Sequence, residues 1–431
     1  SPSGAHFFTF SSFWKGEGLG IDIYWVFNYL SSLSAELNQR RGLMSLAKVW
    51  HEASQNNIDK ARLQNILERD LGIVHMLHPG ILELTRPQKW ETVAELKSGR
   101  SHFAVTVSPD GSKIFAVGGA DRSGLPSDTV EYYDFATESW KELPQKMHCK
   151  RRGLGVTMSP DGKRLYAVGG NGLDSCECYD FTTSRWEELP AMGRRRAWAG
   201  VAMSPDGSRM FAAGGSLIGR DVGYQQWNTV ECFNFEEGKW RDLPQMSCKR
   251  ESPVVSICPG GKRLAVCGQE SSDSEYDTIE CFDLQERSWI TVPKMTLPRK
   301  SIGFAMSPDG KRLYAVGGHP PNDECDITLL EFFDFDAWQW KQLRPLKTTL
   351  ADPKVTISPD STKLYVMGKT LRQGHVIASY DFSRAEWAEI PRTNSKEWKE
   401  FIMSPDGKTL CSLDTTSHYD VGKLEAIRVA L

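Results

Sequence analysis

The sequence has no run of about 18 uninterrupted apolar residues, the length a membrane-crossing helix needs. Its best candidate, Ile21 to Leu33, is broken by Asp22, Asn28, Ser31 and Ser32, so no transmembrane segment is expected. It has no Asn-x-Ser/Thr acceptor and no cysteine before Cys149, and its ten cysteines follow neither a disulfide framework nor a CxxC spacing. Unpaired thiols persist in reducing surroundings, so an intracellular location is expected, with cytoplasm and organelle interior left open. Excess charge is lacking too. Lys and Arg number 52 against 55 acidic residues, for a net charge of −3, and a general nucleic-acid binder needs a basic surplus. There is no Gly-x-Ser-x-Gly, no His-Glu-x-x-His and no phosphate-binding glycine loop. The chain opens Ser1-Pro2-Ser3-Gly4 without a basic-then-apolar leader, and is expected to be a mature or partial chain.

What is abundant is tryptophan, at 14 of 431 residues. A repeat explains it. Ser-Pro-Asp-Gly stands at Ser108, Ser159, Ser204, Ser307 and Ser404, with degenerate copies at Cys258 and Ser358. Pro presets the first turn residue and Gly accepts a positive φ, so each copy joins two strands, a and b, as a hairpin. Ala104–Val107 and Ile114–Val117 flank the first copy. Strand b usually ends in Gly-Gly, as at Gly118-Gly119 and Gly169-Gly170. After a variable loop comes strand c, such as Val130-Glu131-Tyr132-Tyr133-Asp134-Phe135. Six residues beyond each Asp or Asn of strand c stands a tryptophan that opens strand d: Trp140, Trp186, Trp240, Trp289, Trp340 and Trp387. Four short strands cannot bury both faces of a sheet alone, so the units must stack.

Gly-Gly, an aromatic-Asp strand and a Trp at this spacing resemble the kelch repeat. The resemblance implies an all-β fold: a seven-bladed β-propeller of four-stranded antiparallel blades over residues 87–431. The seventh unit has strands near Met403, Leu410–Leu413 and Leu424–Val429 but lacks strand d. Trp90-Glu91-Thr92-Val93-Ala94-Glu95-Leu96 has the strand-d pattern, so the last blade is expected to be closed by this N-terminal strand. Residues 1–86 share none of these motifs. Apolar residues there fall on three helical faces, for example Val26, Leu30, Leu33 and Leu37, which predicts a small α-helical extension. Val26–Leu30 followed by Leu43–Ala53 is similar to the back half of an F-box, although the Leu-Pro opening of that family is replaced by Gly20-Ile21-Asp22-Ile23.

Eight residues before each hairpin turn stand Arg100, Arg151, Arg196, Arg250 and Arg299, then Leu350 and Lys396. They lie in the d–a connection, just before the innermost strand, where guanidinium groups could ring the channel mouth and grip carboxylate or phosphate. The resemblance implies the first use, since kelch adaptors capture acidic peptides with arginines at such points. The alternative is structural: the same arginines could bond neighbouring backbone, or strand-c Glu131, Glu177, Glu231, Glu280 and Glu331. The b–c loops should open on the same face, and the longest, Ser216 to Thr229, offers Tyr224 and Trp227 as anchors. Trp14, Trp25 and Trp50 are candidate docking residues of the N-terminal arm. Cys178, Cys232 and Cys281 share one repeat position and read as small core residues. The nine histidines are widely separated, so no metal site and no cofactor are expected.

These features point to a non-catalytic scaffold or adaptor. It is expected to bind a protein partner, with an acidic segment as the candidate ligand, through the d–a/b–c loop face, and to be docked among other subunits of a multiprotein complex by its N-terminal helices. The alternatives are an F-box-kelch substrate receptor of a ubiquitin ligase and a propeller oxidase of galactose-oxidase type.

Overall fold

The computed structural model describes residues 90–431, apart from short internal stretches, the longest being 269–278 and 415–422, and the last two residues. The helical extension expected over 1–86, its F-box-like segment, Trp14, Trp25 and Trp50, and also Lys396, lie outside the described residues. Gln88–Leu431 form one compact unit.

That unit is all-β. Seven four-stranded antiparallel sheets, each in the order a-b-c-d, make seven propeller blades. In blade 1 the strands are Ala104–Val107, Lys113–Val117, Val130–Asp134 and Ser139–Glu142. Blade 7 combines both ends of the repeat region. Trp398–Met403, Thr409–Asp414 and Lys423–Arg428 supply strands a to c, and Glu91–Glu95 pairs antiparallel with the last of them as strand d. Closure removes the two exposed edges that an open ring would present.

The core lies between blades. Seven apolar clusters fill the seven junctions, including the closing one, where Cys411, Leu413 and Leu424 of blade 7 meet Ile114, Ala116, Tyr133 and Trp140 of blade 1. Strand b is covered on both faces, which is why it reads as a continuous apolar run such as Ile114–Val117 rather than an alternating one. The repeated tryptophan packs at the junctions. In blades 2 to 7 its indole N–H donates to a backbone carbonyl of the preceding blade, for example Trp240 to Pro190 at 2.9 Å, Trp289 to Pro244 at 2.8 Å and Trp90 to Pro391 at 2.6 Å.

Local chemistry sets the turns. In the a–b hairpin, Ser108 Oγ donates to Asp110 Oδ1 at 2.6 Å and accepts the Lys113 N–H at 2.9 Å, while Gly111 takes φ +65°. These hydrogen bonds hold the Asp110 and Asp206 carboxyls down at about 2, the serine hydroxyl being the largest cause. In the c–d turn, Asp134 Oδ1 accepts the Ala136 N–H at 3.0 Å. Two b–c connections differ from the loops expected. Ser216–Gly219 and Gly223–Gln226 pair as a separate two-stranded sheet. In blade 6, strands b and c extend to Thr370 and from Gly374, leaving only 371–373 between them.

Candidate functional site: the face of the d–a and b–c connections

The d–a and b–c connections do open on one face. Ser101 pairs with Ala120, and Ala197 with Ser216, so each d–a segment runs against the exit of strand b. The Gly-Gly pair makes this approach possible. A Cβ on Gly119 would stand 2.7 Å from the Ser101 carbonyl oxygen, and the Gly119 N–H donates to Arg151 O at 2.8 Å.

The five repeat arginines are on these segments, but they do not line the channel mouth as a ligand ring. Their side chains are at most 2% exposed, and each pairs with the strand-c glutamate of its blade. The separations are 2.6 Å for Arg100–Glu131, 2.9 Å for Arg151–Glu177, 2.9 Å for Arg196–Glu231, 3.1 Å for Arg250–Glu280 and 2.6 Å for Arg299–Glu331. Arg196 shows the full pattern. Nη2 donates to Glu231 Oε1 and to Thr229 Oγ1, and Nη1 donates to the carbonyls of Gly214 and Thr229 at 2.6 and 3.1 Å. Glu231 Oε2 in turn accepts the Gly193 N–H at 2.5 Å. The cluster bolts the d–a connection to strands b and c. Burial presses the Arg196 pKa down, and the Glu231 charge opposes it. An extended segment gives no sequence cue to which way its side chain turns, and this one turns into the blade. The structural alternative is the one the geometry favours, since each of the five guanidinium groups is buried against its own glutamate.

The open surface is built by residues around those arginines. Lys150, Arg152, Arg195 and Lys249 flank the buried row and are exposed. Arg152 donates to Asn171 Oδ1 at 3.2 Å and to Gly124 O at 3.1 Å, and Arg195 lies 3.9 Å from Asp174. Leu125, next to Gly124, is 61% exposed. Tyr224 is 53% exposed, yet its hydroxyl bonds Glu251, which also accepts from Ser216 Oγ at 2.9 Å. Trp227 is half-buried and donates its indole N–H to Arg195 O at 3.0 Å. Both aromatic residues therefore brace the hairpin against neighbouring d–a segments.

A second ring escaped sequence reading. Two residues after each repeat arginine, or after Leu350 in blade 6, the backbone is left-handed: His102, Gly153, Trp198, Ser252, Ser301 and Asp352 have φ between +45° and +59°. The N–H of Gly153 donates to His102 O at 2.8 Å, that of Trp198 to Gly153 O at 2.6 Å, and that of Ser252 to Trp198 O at 2.9 Å. The first four connections are thus stitched one to the next, from blade 1 to blade 4. Gly153 suits that conformation without strain, and a non-glycine residue there costs about 1–3 kcal/mol. The available signal was Gly153 itself, the one glycine at that register.

Burial also governs seven of the cysteine thiols. Burial pushes the Cys176, Cys267 and Cys411 thiols up to about 12, and those of Cys178, Cys232 and Cys258 to about 11. Cys281 is raised by the same cause. Such thiols are poor nucleophiles. Among the described residues, no group of three His, Cys, Asp or Glu is placed to hold a metal ion, and no helix is long and apolar enough to cross a membrane.

Comparison with known proteins gives concordant results. Residues 101–318 match the family model of the KLHDC2/KLHL20/DRC7 Kelch-repeats domain. The chain is 39% identical over 85 residues to Kelch-like protein 40 of Xenopus laevis, and 37% identical over 82 residues to beta-scruin of Limulus polyphemus, 19% of this chain in each case. These stretches span only 12% and 8% of those relatives. Among solved structures, a fungal alcohol oxidase of the AA5 family, in complex with copper, superposes with a TM-score of 0.60 over 79% of this chain and 76% of its own, at 14% identity. At that identity the likeness concerns the fold alone.

Proposed function

Because the chain belongs to the kelch-repeat family, we propose that it is a non-catalytic interaction module that holds an acidic segment of a protein partner on its d–a/b–c face, as an adaptor within a larger assembly. Kelch propellers are typically protein-interaction domains. The observation that carries the finer reading is the cluster of exposed Lys150, Arg152, Arg195 and Lys249 on three successive d–a connections. The deep carboxylate-binding arginines are occupied by glutamates, so charge complementarity on this face falls to the flanking bases. Exposed charges of this kind steer encounter and fix partner choice.

The test separates the two basic sets. Capture of the co-purifying partner by the Lys150→Glu/Arg195→Glu/Lys249→Glu variant is expected to fall at least tenfold while the melting temperature stays within a few degrees of the parent. Unchanged capture by that variant overturns the reading.

A further inference from the structure

Exposed apolar side chains collect at one end of the blades. Among the described residues the exposed large apolar side chains are Leu125, Tyr224, Val254 and Leu297. Leu125 and Tyr224 lie in b–c connections, Leu297 in a d–a connection, and Val254 opens strand a of blade 4, so all four belong to the same face. Tyr224 is tied to Glu251. Leu125 is the most exposed of the four, and its turn is closed on itself. Asp121 Oδ1 accepts the N–H groups of Ser123 and Leu125 at 2.8 and 3.0 Å. The Asp121 N–H donates to Leu125 O, and the Gly124 N–H to Asp121 O, both at 2.9 Å. Gly124 takes φ +75°, and Ala120 pairs with Pro126 at the base of the turn. Leu125 is thus presented to solvent by ordered backbone, which lowers the ordering cost of a contact made there.

Arg152 stands at the same turn and is exposed. Its Nη1 donates at 3.1 Å to Gly124 O, the carbonyl of the peptide bond that leads into Leu125, and its Nε donates to Asn171 Oδ1 at 3.2 Å. Both acceptors are neutral. Neighbouring cations have carboxylates: Lys146 has Asp128 at 3.8 Å, Arg194 has Asp242 at 2.7 Å and Arg195 has Asp174 at 3.9 Å. Arg152 has no carboxylate partner among the described residues. A guanidinium oriented by neutral acceptors keeps its charge and its remaining N–H groups for a carboxylate from outside.

We infer that Leu125 and Arg152 form a two-point anchor for the partner. Leu125 packs against an aliphatic side chain of the bound segment, and Arg152 binds the carboxylate of an acidic residue beside it. This rests on the proposed function above and names the pair that selects among acidic segments. A basic cluster alone accepts any of them, whereas an apolar contact next to a fixed guanidinium demands an aliphatic residue at one position.

Three labelled peptides test this by fluorescence anisotropy on the full chain: an Asp/Glu-rich peptide with a central Leu, the same peptide with Ser for Leu, and a Lys-rich version of the first. The Leu peptide is expected to bind at least tenfold more tightly than the Ser peptide, and Leu125→Ser to erase that difference. Arg152→Glu is expected to weaken both acidic peptides at least tenfold and to strengthen the Lys-rich one, a reversal that loss of a mere brace would not produce. If Arg152→Glu melts early, Arg152→Gln, which keeps an N–H donor for Gly124 O, must weaken the acidic peptides at least tenfold, and unchanged affinity overturns the role of Arg152. Equal affinity for the Leu and Ser peptides, a Leu preference that survives Leu125→Ser, or a folded Arg152→Glu variant without the reversal overturns the anchor. In each of those cases the acidic-partner reading stands if Lys150→Glu/Arg195→Glu/Lys249→Glu weakens both acidic peptides. Acidic peptides that bind the parent no better than the Lys-rich one overturn both.

Discussion

Blades 1 to 5 carry an arginine in the d–a connection and a glutamate in strand c, and the two form a buried ion pair. Blade 6 holds Leu350 and Ala378 at the same two positions, both buried and packed in one apolar cluster. Both members change together, from charged to apolar. A lone guanidinium or carboxylate in that space would be desolvated without a partner, whereas an apolar pair fills it at little electrostatic cost. Blade 7 is intermediate. It keeps the glutamate, as Glu425, 2% exposed, with Oε2 lacking a hydrogen-bond partner among the described residues, which do not include Lys396 at the arginine position. Directly across the ladder, Ser412 stands where blades 1, 2, 3 and 5 have alanine, and its Oγ also lacks a partner. At the junction of blades 7 and 1 the difference is in the tryptophan: Trp140 Nε1 has no hydrogen-bond partner among the described residues, while the same indole in blades 2 to 6 donates across its junction.

The largest expected effect breaks one ion pair. Arg196→Leu leaves Glu231 buried and unpaired and should cost about 3–5 kcal/mol in urea unfolding. Adding Glu231→Ala reproduces the arrangement of blade 6 and should recover most of that loss. A double variant no more stable than the single one would show that the backbone carbonyls bonded by Arg196, rather than the carboxylate, require the guanidinium.

A smaller effect compares junctions. Trp240→Phe loses the bond to Pro190 O and should cost about 1 kcal/mol more than Trp140→Phe, which has no such bond to lose. Equal costs by thermal unfolding would mean that ring packing, not the indole N–H, holds the junction.

The smallest effect has the opposite sign. Ser412→Ala removes a buried hydroxyl that has no partner among the described residues and matches the alanine of blades 1, 2, 3 and 5. It should raise stability by about 1 kcal/mol. A loss of stability would indicate that Ser412 has a partner such as an ordered water within blade 7.

Much of the propeller was legible because each repeat position carries a local physical reason. The Ser-Pro-Asp-Gly turns, the Gly-Gly approach and the Trp six residues past Asp each repeat often enough to set strand boundaries, and Trp90 alone disclosed how the ring closes. The candidate site was legible only in its location. Arg196 was visible as a repeat position, but nothing in an extended connection says whether its side chain enters the blade or the solvent. Tyr224 and Trp227 were visible as aromatic residues in a long loop, but not as braces of a hairpin bonded to Glu251 and Arg195. Trp198 was missed because its placement rests on a left-handed φ and on the room that Gly153 leaves for its indole, neither of which is periodic in residue type.

The sequence by itself therefore determined the repeat, the blade count and the closing strand, since those follow from turn chemistry and apolar patterning within about 50 residues of chain. Only the tertiary structure decided which charges are spent inside and which face outward. That choice depends on side-chain direction and on neighbours some 30 residues away, such as Glu231 for Arg196, where a buried partner turns an apparent ligand-binding group into part of the frame.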